Sequence, residues 1–141
     1  MPDDAARFDD SEFGRAAAFR AELRRFLKRT EVVAAEAGLT AQRYDVLLML
    51  KATDSGLGVP VTRLGELLQL RQVAVTELVQ RMEQSGLIAR RESSEDRRVS
   101  LIVLTAEGEA RLAKTFAGLR HDRTALAATF ARLVRFHDAS A

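Results

Sequence analysis

The residues best equipped for chemistry in this chain are arginines and amides at set spacings. Arg97 and Arg98 follow Glu95 and Asp96 in a short polar run, and Arg71, Gln72, Val73, Thr76 and Gln80 recur at helical steps upstream. A guanidinium is a planar fork that grips phosphate or the guanine edge, and glutamine pairs with adenine. Threonine and valine can touch the thymine methyl. These residue types recognise a surface; they do not break bonds. The chain has no cysteine, which excludes disulfides, thiolate metal sites and cysteine nucleophiles. His121 and His137 stand sixteen residues apart without a clear carboxylate partner and read as surface or interface histidines, so no metal site is expected. Glu107 and Glu109 fall near a helix start, where the dipole favours acidic side chains. No phosphate-cradling glycine loop, nucleophile elbow or His-Glu-x-x-His is present. The sequence therefore predicts no catalytic residues and no cofactor.

The elements that must position these side chains follow from periodicity. Phe19, Leu23, Phe26, Leu27 and Val33 recur at three- and four-residue steps and predict a helix over 12–37, stopped by Gly38. Thr40 is placed to cap a second helix through Tyr44, Leu47, Leu48 and Leu50. Residues 54–60, Asp-Ser-Gly-Leu-Gly-Val-Pro, read as a loop. Thr62 is expected to cap a short helix with Leu64, Leu67 and Leu68 inward. A further helix is predicted from Arg71 to Ser85, with Val75, Leu78, Val79 and Met82 on its core face. Gly86 stops it, and two strands follow at 87–92 and 99–104. Thr105 then caps a helical region over 106–136 with a break near 120–123.

On a wheel of the 71–85 helix, Val73, Thr76, Glu77 and Gln80 lie opposite the core face, with Gln72 at the N-terminal edge. The second helix of a helix-turn-helix lies in the major groove and meets base edges with its N-terminal residues. Arg71, on the first turn, can reach a phosphate or a guanine. The hairpin behind this helix carries Arg97 and Arg98 at its tip, where a guanidinium can enter a narrow, electronegative minor groove. A carboxylate there repels phosphate, so Asp96 is expected to orient one guanidinium by a charge-assisted hydrogen bond. The layout is that of a winged helix-turn-helix: mainly α with a small β-hairpin wing, an α+β class. It points to double-stranded DNA.

The chain resembles the MarR family of bacterial transcription regulators along nearly its whole length. The densest likeness is Leu64-Gly65-Glu66-Leu67, the run from Arg81 to Arg90 that contains Gly86-Leu87-Ile88, Asp96-Arg97-Arg98, and Leu104-Thr105-Ala106-Glu107-Gly108. The family's Asp-x-Arg wing signature falls on Asp96 and Arg98, eight residues before the Leu-Thr pair at Leu104 and Thr105. The resemblance implies a homodimer in which N- and C-terminal helices interleave and two winged lobes grip a pseudo-palindromic operator. Arg98 would enter the minor groove, held by Asp96. It divides a single domain, 1–141, into dimerisation helices at 12–37 and 106–138 and a DNA-binding lobe at 40–104. The recognition-helix region is similar to the branch that senses hydroperoxides through a cysteine; without one, thiol sensing is excluded. Family members often release DNA when a small aromatic or phenolic acid binds. Tyr44 and Arg90 would supply an aromatic wall and an anchor for the anion; Tyr44 also fits a core or interface position, and Arg90 a phosphate contact or a wing salt bridge.

Composition sets the outer bounds. With 47% hydrophobic and 30% charged residues over 141 positions, the chain can bury a core as an ordinary globular domain. Its net charge of +2 is a weak sign of a nucleic-acid partner, but 19 of the 22 basic residues are arginine, either for phosphate binding or as the mark of a GC-rich genome. No apolar run is long enough to cross a membrane and no signal peptide opens the chain, so cytoplasmic residence is expected, with a frayed acidic start at Asp3, Asp4, Asp9 and Asp10. The sequence thus predicts a repressor that a small effector releases from DNA. A dimeric protein–protein adaptor on the same fold is the alternative.

Overall fold

The computed structural model describes residues 10–138; the acidic positions Asp3, Asp4 and Asp9 and the side chain of His137 lie outside the described part. In chain order the elements are α1 (Asp10–Glu36), α2 (Ala41–Thr53), β1 (Val59–Pro60), α3 (Val61–Leu68), α4 (Gln72–Gln84), β2 (Ile88–Glu92), β3 (Ser100–Leu104), α5 (Ala106–Gly118) and α6 (Arg120–Asp138). They divide into two compact units, one formed by the chain up to Val32 together with 119 onward, the other by Val33–Gly118. None of the described helices is long and apolar enough to cross a membrane.

In the terminal-helix unit, Phe19 of α1 stacks on Phe130 of α6 with ring centroids 4.4 Å apart and planes 17° from parallel. Arg29 reaches Asp122 at 3.5 Å. A stripe of large apolar side chains on α1 stays in solvent, with Phe13 63% and Leu27 53% exposed, next to the half-exposed Phe19 and Leu23. Surface helices normally turn such a stripe toward a core.

The other unit carries the buried core: Tyr44, Val46, Leu47 and Leu50 of α2, Leu64 of α3, Val75, Val79 and Met82 of α4, and Ile88 and Ile102 of the sheet. These are the apolar positions that helical and strand periodicity selects. Helix ends follow local chemistry. The Thr40 hydroxyl accepts from the Arg43 amide at 3.1 Å and caps α2. Thr105 caps α5 by accepting from the Gly108 amide at 3.1 Å, while its own hydroxyl donates to the Gly86 carbonyl at 2.6 Å. That pair of bonds ties the start of α5 to the end of α4. At the end of α4, Gly86 takes φ +75°, so that its amide reaches the Glu83 carbonyl (3.0 Å) and the Leu87 amide reaches that of Met82 (3.1 Å). This left-handed closure costs glycine nothing and turns the chain straight into β2.

Two local expectations are corrected. Val59 and Pro60, read as loop, form the third strand: they pair antiparallel with Ile102 and Leu101, giving the sheet order β1-β3-β2. Two residues are too short to show alternation, and their partner lies some forty residues on. Thr62 does not cap α3; the helix starts at Val61 with Pro60 in the cap position and no side-chain cap. Proline suits that place because its fixed φ leads from strand to helix and it has no amide to leave unpaired. The break between α5 and α6 falls at Leu119, beside the expected 120–123 window.

Candidate nucleic-acid interface

α3 and α4 are joined by Gln69, Leu70 and Arg71, the turn of a helix-turn-helix. Gln69 sits in the left-handed region at φ 55°, and the Leu70 amide reaches back to the Gly65 carbonyl at 3.0 Å. This tight reversal lets α4 bury Val75, Leu78, Val79 and Met82 and leaves the rest of its surface in water. Gln72, Val73, Thr76 and Gln80 are all exposed, Val73 at 71%. An apolar side chain so far out on a polar face is mostly in solvent. Gln72 donates to the Thr76 hydroxyl at 3.4 Å, one turn along. Arg71 precedes the helix at its cap position, exposed and, among the described residues, without a carboxylate partner.

The hairpin holds a strict register from Ile88↔Leu104 to Glu92↔Ser100. Its tip is closed by backbone bonds, Ser93 amide to Val99 carbonyl at 3.2 Å and Val99 amide to Asp96 carbonyl at 3.0 Å. The Ser93 hydroxyl accepts from the Glu95 and Asp96 amides. Asp96 Oδ1 then accepts twice from Arg98, from its amide at 3.0 Å and from Nε at 3.2 Å. The Arg98 side chain is 91% exposed, so only Asp96 restrains it. Nε is occupied, and the two Nη groups make no hydrogen bond among the described residues. Arg97, beside it, is exposed and unpaired among the described residues.

Between α4 and the wing lies an open notch of about 320 Å³ that brings Gln72 and Thr76 together with Arg90 and Arg98. Tyr44 does not line it; that ring is buried in α2 at 4% exposure. Periodicity did not single out Glu83, on the last turn of α4, whose carboxylate holds Arg90 Nε at 3.1 Å. The usable signal was present: strand alternation puts Arg90 on the face of buried Ile88, toward α4, and Arg91 on the other. No grouping of histidine and acidic side chains that could hold a metal occurs among the described residues.

A reading helix presented beside an arginine-tipped hairpin, both braced on one core, defines a winged helix-turn-helix. The sequence model of the MarR family matches residues 37–99, which cover α2 through the wing tip. The chain is 35% identical over 88 residues to the organic hydroperoxide resistance transcriptional regulator of Bacillus subtilis, across 62% of this chain and 58% of that one. It is 36% identical over 81 residues to the transcriptional repressor MdtR of the same organism, across 57% and 50%. The matches therefore span little more than half the length of these relatives. Among solved structures, the transcriptional repressor CouR bound to a 23-mer DNA duplex superposes with a TM-score of 0.63 at 26% identity, covering 82% of this chain and 87% of that one. From α2 through the wing tip the chain is similar to the MarR family of transcription regulators.

Proposed function

We propose that this chain is a homodimeric repressor that binds a pseudo-palindromic operator in double-stranded DNA and leaves it when a small aromatic or phenolic acid binds. The observation that carries the reading is the pairing of two exposed elements on one braced lobe. The Gln72–Val73–Thr76–Gln80 face of α4 fits the major groove, and Arg98, restrained by Asp96, fits the flanking minor groove. Arg71 and Arg97 add unpaired charge for phosphates, which supply most of the affinity. The repressor names of MdtR and CouR, and the duplex bound to CouR, support the same reading by likeness.

A second copy suits the stripe of exposed apolar side chains that Phe13, Leu23 and Leu27 form on α1. An effector suits the groove of about 330 Å³ between α2 and α5, floored by Leu48, Ala52, Leu112 and Ala113. Lys51, paired with Glu109, also lines it and can exchange that carboxylate for one on an aromatic acid. The groove offers an apolar floor beside a cation, whereas Tyr44 is enclosed and Arg90 faces the notch. The reaction compartment of such a regulator is the cytoplasm, where the DNA is.

Selection of bound duplexes from a random pool tests the proposal. Two-fold-symmetric sites with half-sites about one helical turn apart are expected. Arg98→Ala should then weaken binding by about 1–3 kcal/mol, the worth of one good groove contact. Failure to enrich any duplex, with a correctly folded protein, refutes the DNA reading and favours the adaptor.

A further inference from the structure

The two grooves of a duplex are separated by a sugar-phosphate strand. A protein that lowers a helix into one groove and a hairpin tip into the next must straddle that strand, and the notch between them then receives its phosphates. In this lobe the notch is lined by Thr62, Thr76, Ser100, Gln72 and two arginines, Arg90 and Arg98, beside the apolar Pro60, Val61 and Val99. No carboxylate lines it. Two cations with hydroxyl and amide side chains beside them suit an anion.

Arg90 is the better fixed of the two arginines. It rises from β2 opposite Ile102, on the strand face that Ile88 buries, and its Nε lies 3.1 Å and 3.4 Å from the two carboxylate oxygens of Glu83. Both side chains are about one-third exposed, so the pair is neither sealed in the core nor free at the surface. Glu83 is on α4 and Arg90 on the wing strand, so one ion pair ties the groove-reading helix to the hairpin. Nε is engaged by Glu83, no hydrogen bond of the two Nη groups occurs among the described residues, and the residue lines the notch. A guanidinium restrained in this way loses less side-chain freedom when it binds. Arg91, the next residue, points to the opposite face and reaches the Gly56 carbonyl at 3.5 Å.

We propose that Arg90 clamps the DNA backbone phosphate lying between the groove read by α4 and the groove entered by the wing, with Glu83 as its positioning residue. The proposal rests on the DNA reading above and adds to it a contact that sets the register of helix against wing.

The experiment uses a duplex enriched from the random pool by the wild-type protein, with Kd measured across a salt series. Arg90→Gln should raise Kd about tenfold for each half-site engaged, as expected for a lost charge-assisted contact. It should also lower the slope of log K against log salt by about 0.9 for each clamp removed. Arg91→Gln, on the far face, should leave Kd and slope near wild type. Glu83→Gln should keep the slope and still raise Kd a few-fold, although it removes a negative charge from the DNA side. Single methylphosphonate substitutions along the duplex should reveal one position per half-site that weakens wild type and does not weaken Arg90→Gln further. Should Arg90→Gln melt prematurely, Arg90→Lys takes its place, with the slope retained and Kd raised. An Arg90→Gln protein that matches wild type in Kd and slope overturns the clamp, as does a loss of affinity at unchanged slope. Tighter binding by Glu83→Gln overturns the positioning role. If wild type enriches no duplex, the DNA reading itself fails; if Arg98→Ala weakens binding and Arg90→Gln does not, only the clamp falls.

Discussion

Asp96 gives the sharpest test of the wing, because two physical effects predict opposite signs. Its carboxylate lies beside a surface proposed to meet phosphates, so Coulomb's law alone says that Asp96→Ala should tighten DNA binding. At about 7 Å from a phosphate in water the repulsion is about 0.6 kcal/mol, and physiological salt reduces it to roughly 0.3 kcal/mol. Against this stands the loss of the double grip on the Arg98 amide and Nε, at 3.0 and 3.2 Å. Arginine carries about 2 kcal/mol of rotamer entropy, and with 91% of the side chain exposed nothing else restrains it. If the tether removes even about half of that freedom beforehand, its loss outweighs the relief. The net expectation is weaker binding by about 0.7 kcal/mol per wing, roughly threefold in Kd. Global stability should hardly move, since an exposed ion pair contributes at most about 1 kcal/mol. The assay is fluorescence anisotropy on the selected duplex, run as a double-mutant cycle with Arg98→Ala. In the Arg98→Ala background the Asp96→Ala change should become neutral or slightly tightening. Tighter binding in the wild-type background, or an unchanged penalty without Arg98, would refute the tether.

Gly108→Ala should destabilise the lobe by about 3 kcal/mol and lower its melting temperature by roughly 10 °C, because a methyl there would sit 2.0 Å from the Leu87 carbonyl oxygen. An unchanged melt would mean that α5 is not pressed against that backbone. Gln69→Gly should raise the urea midpoint by up to about 1 kcal/mol of stability, since the residue holds φ 55° at the turn before α4; a lower midpoint counts against strain there. Burial raises the carboxyl pKa of Asp45 above 3.8 although the residue keeps substantial surface. A raised folded pKa favours the native state at low pH, and that advantage is lost as pH rises through it. Asp45→Asn should therefore be the more stable protein at pH 7, with the gain vanishing toward and below pH 3.8. Equal gains at both pH values would point to a cause other than ionisation.

Much of the scaffold was legible because it rests on local rules. Thr40, Gly86 and Thr105 mark helix ends through bonds that span only a few residues, apart from the Thr105 bond to Gly86. The core face of α4 follows from a 3.6-residue period, and the hairpin from two apolar runs about a polar tip. The Asp96–Arg98 pairing spans two residues and was readable in the same way. What escaped was long in range or short in length. β1 is two residues that become a strand only because β3 arrives to pair with them. Pro60 displaced Thr62 at the start of α3 because that strand had already fixed the direction of entry.

The sequence by itself determined the order of the helices and of the two hairpin strands, the residues that point into the core, and the arginine-tipped wing, since each depends on neighbours within a turn or a hairpin. Only the tertiary structure decided which polar groups share a surface. Glu83 and Arg90 are separated by the Gly86 reversal, and it takes the packing of α4 on the sheet to close that ion pair. The same packing turns Arg90 toward Gln72, Thr76 and Arg98 and leaves Tyr44 enclosed. Side-chain direction on a strand follows from its pleat, but what stands opposite depends on how the elements dock, and that is set by the whole core at once.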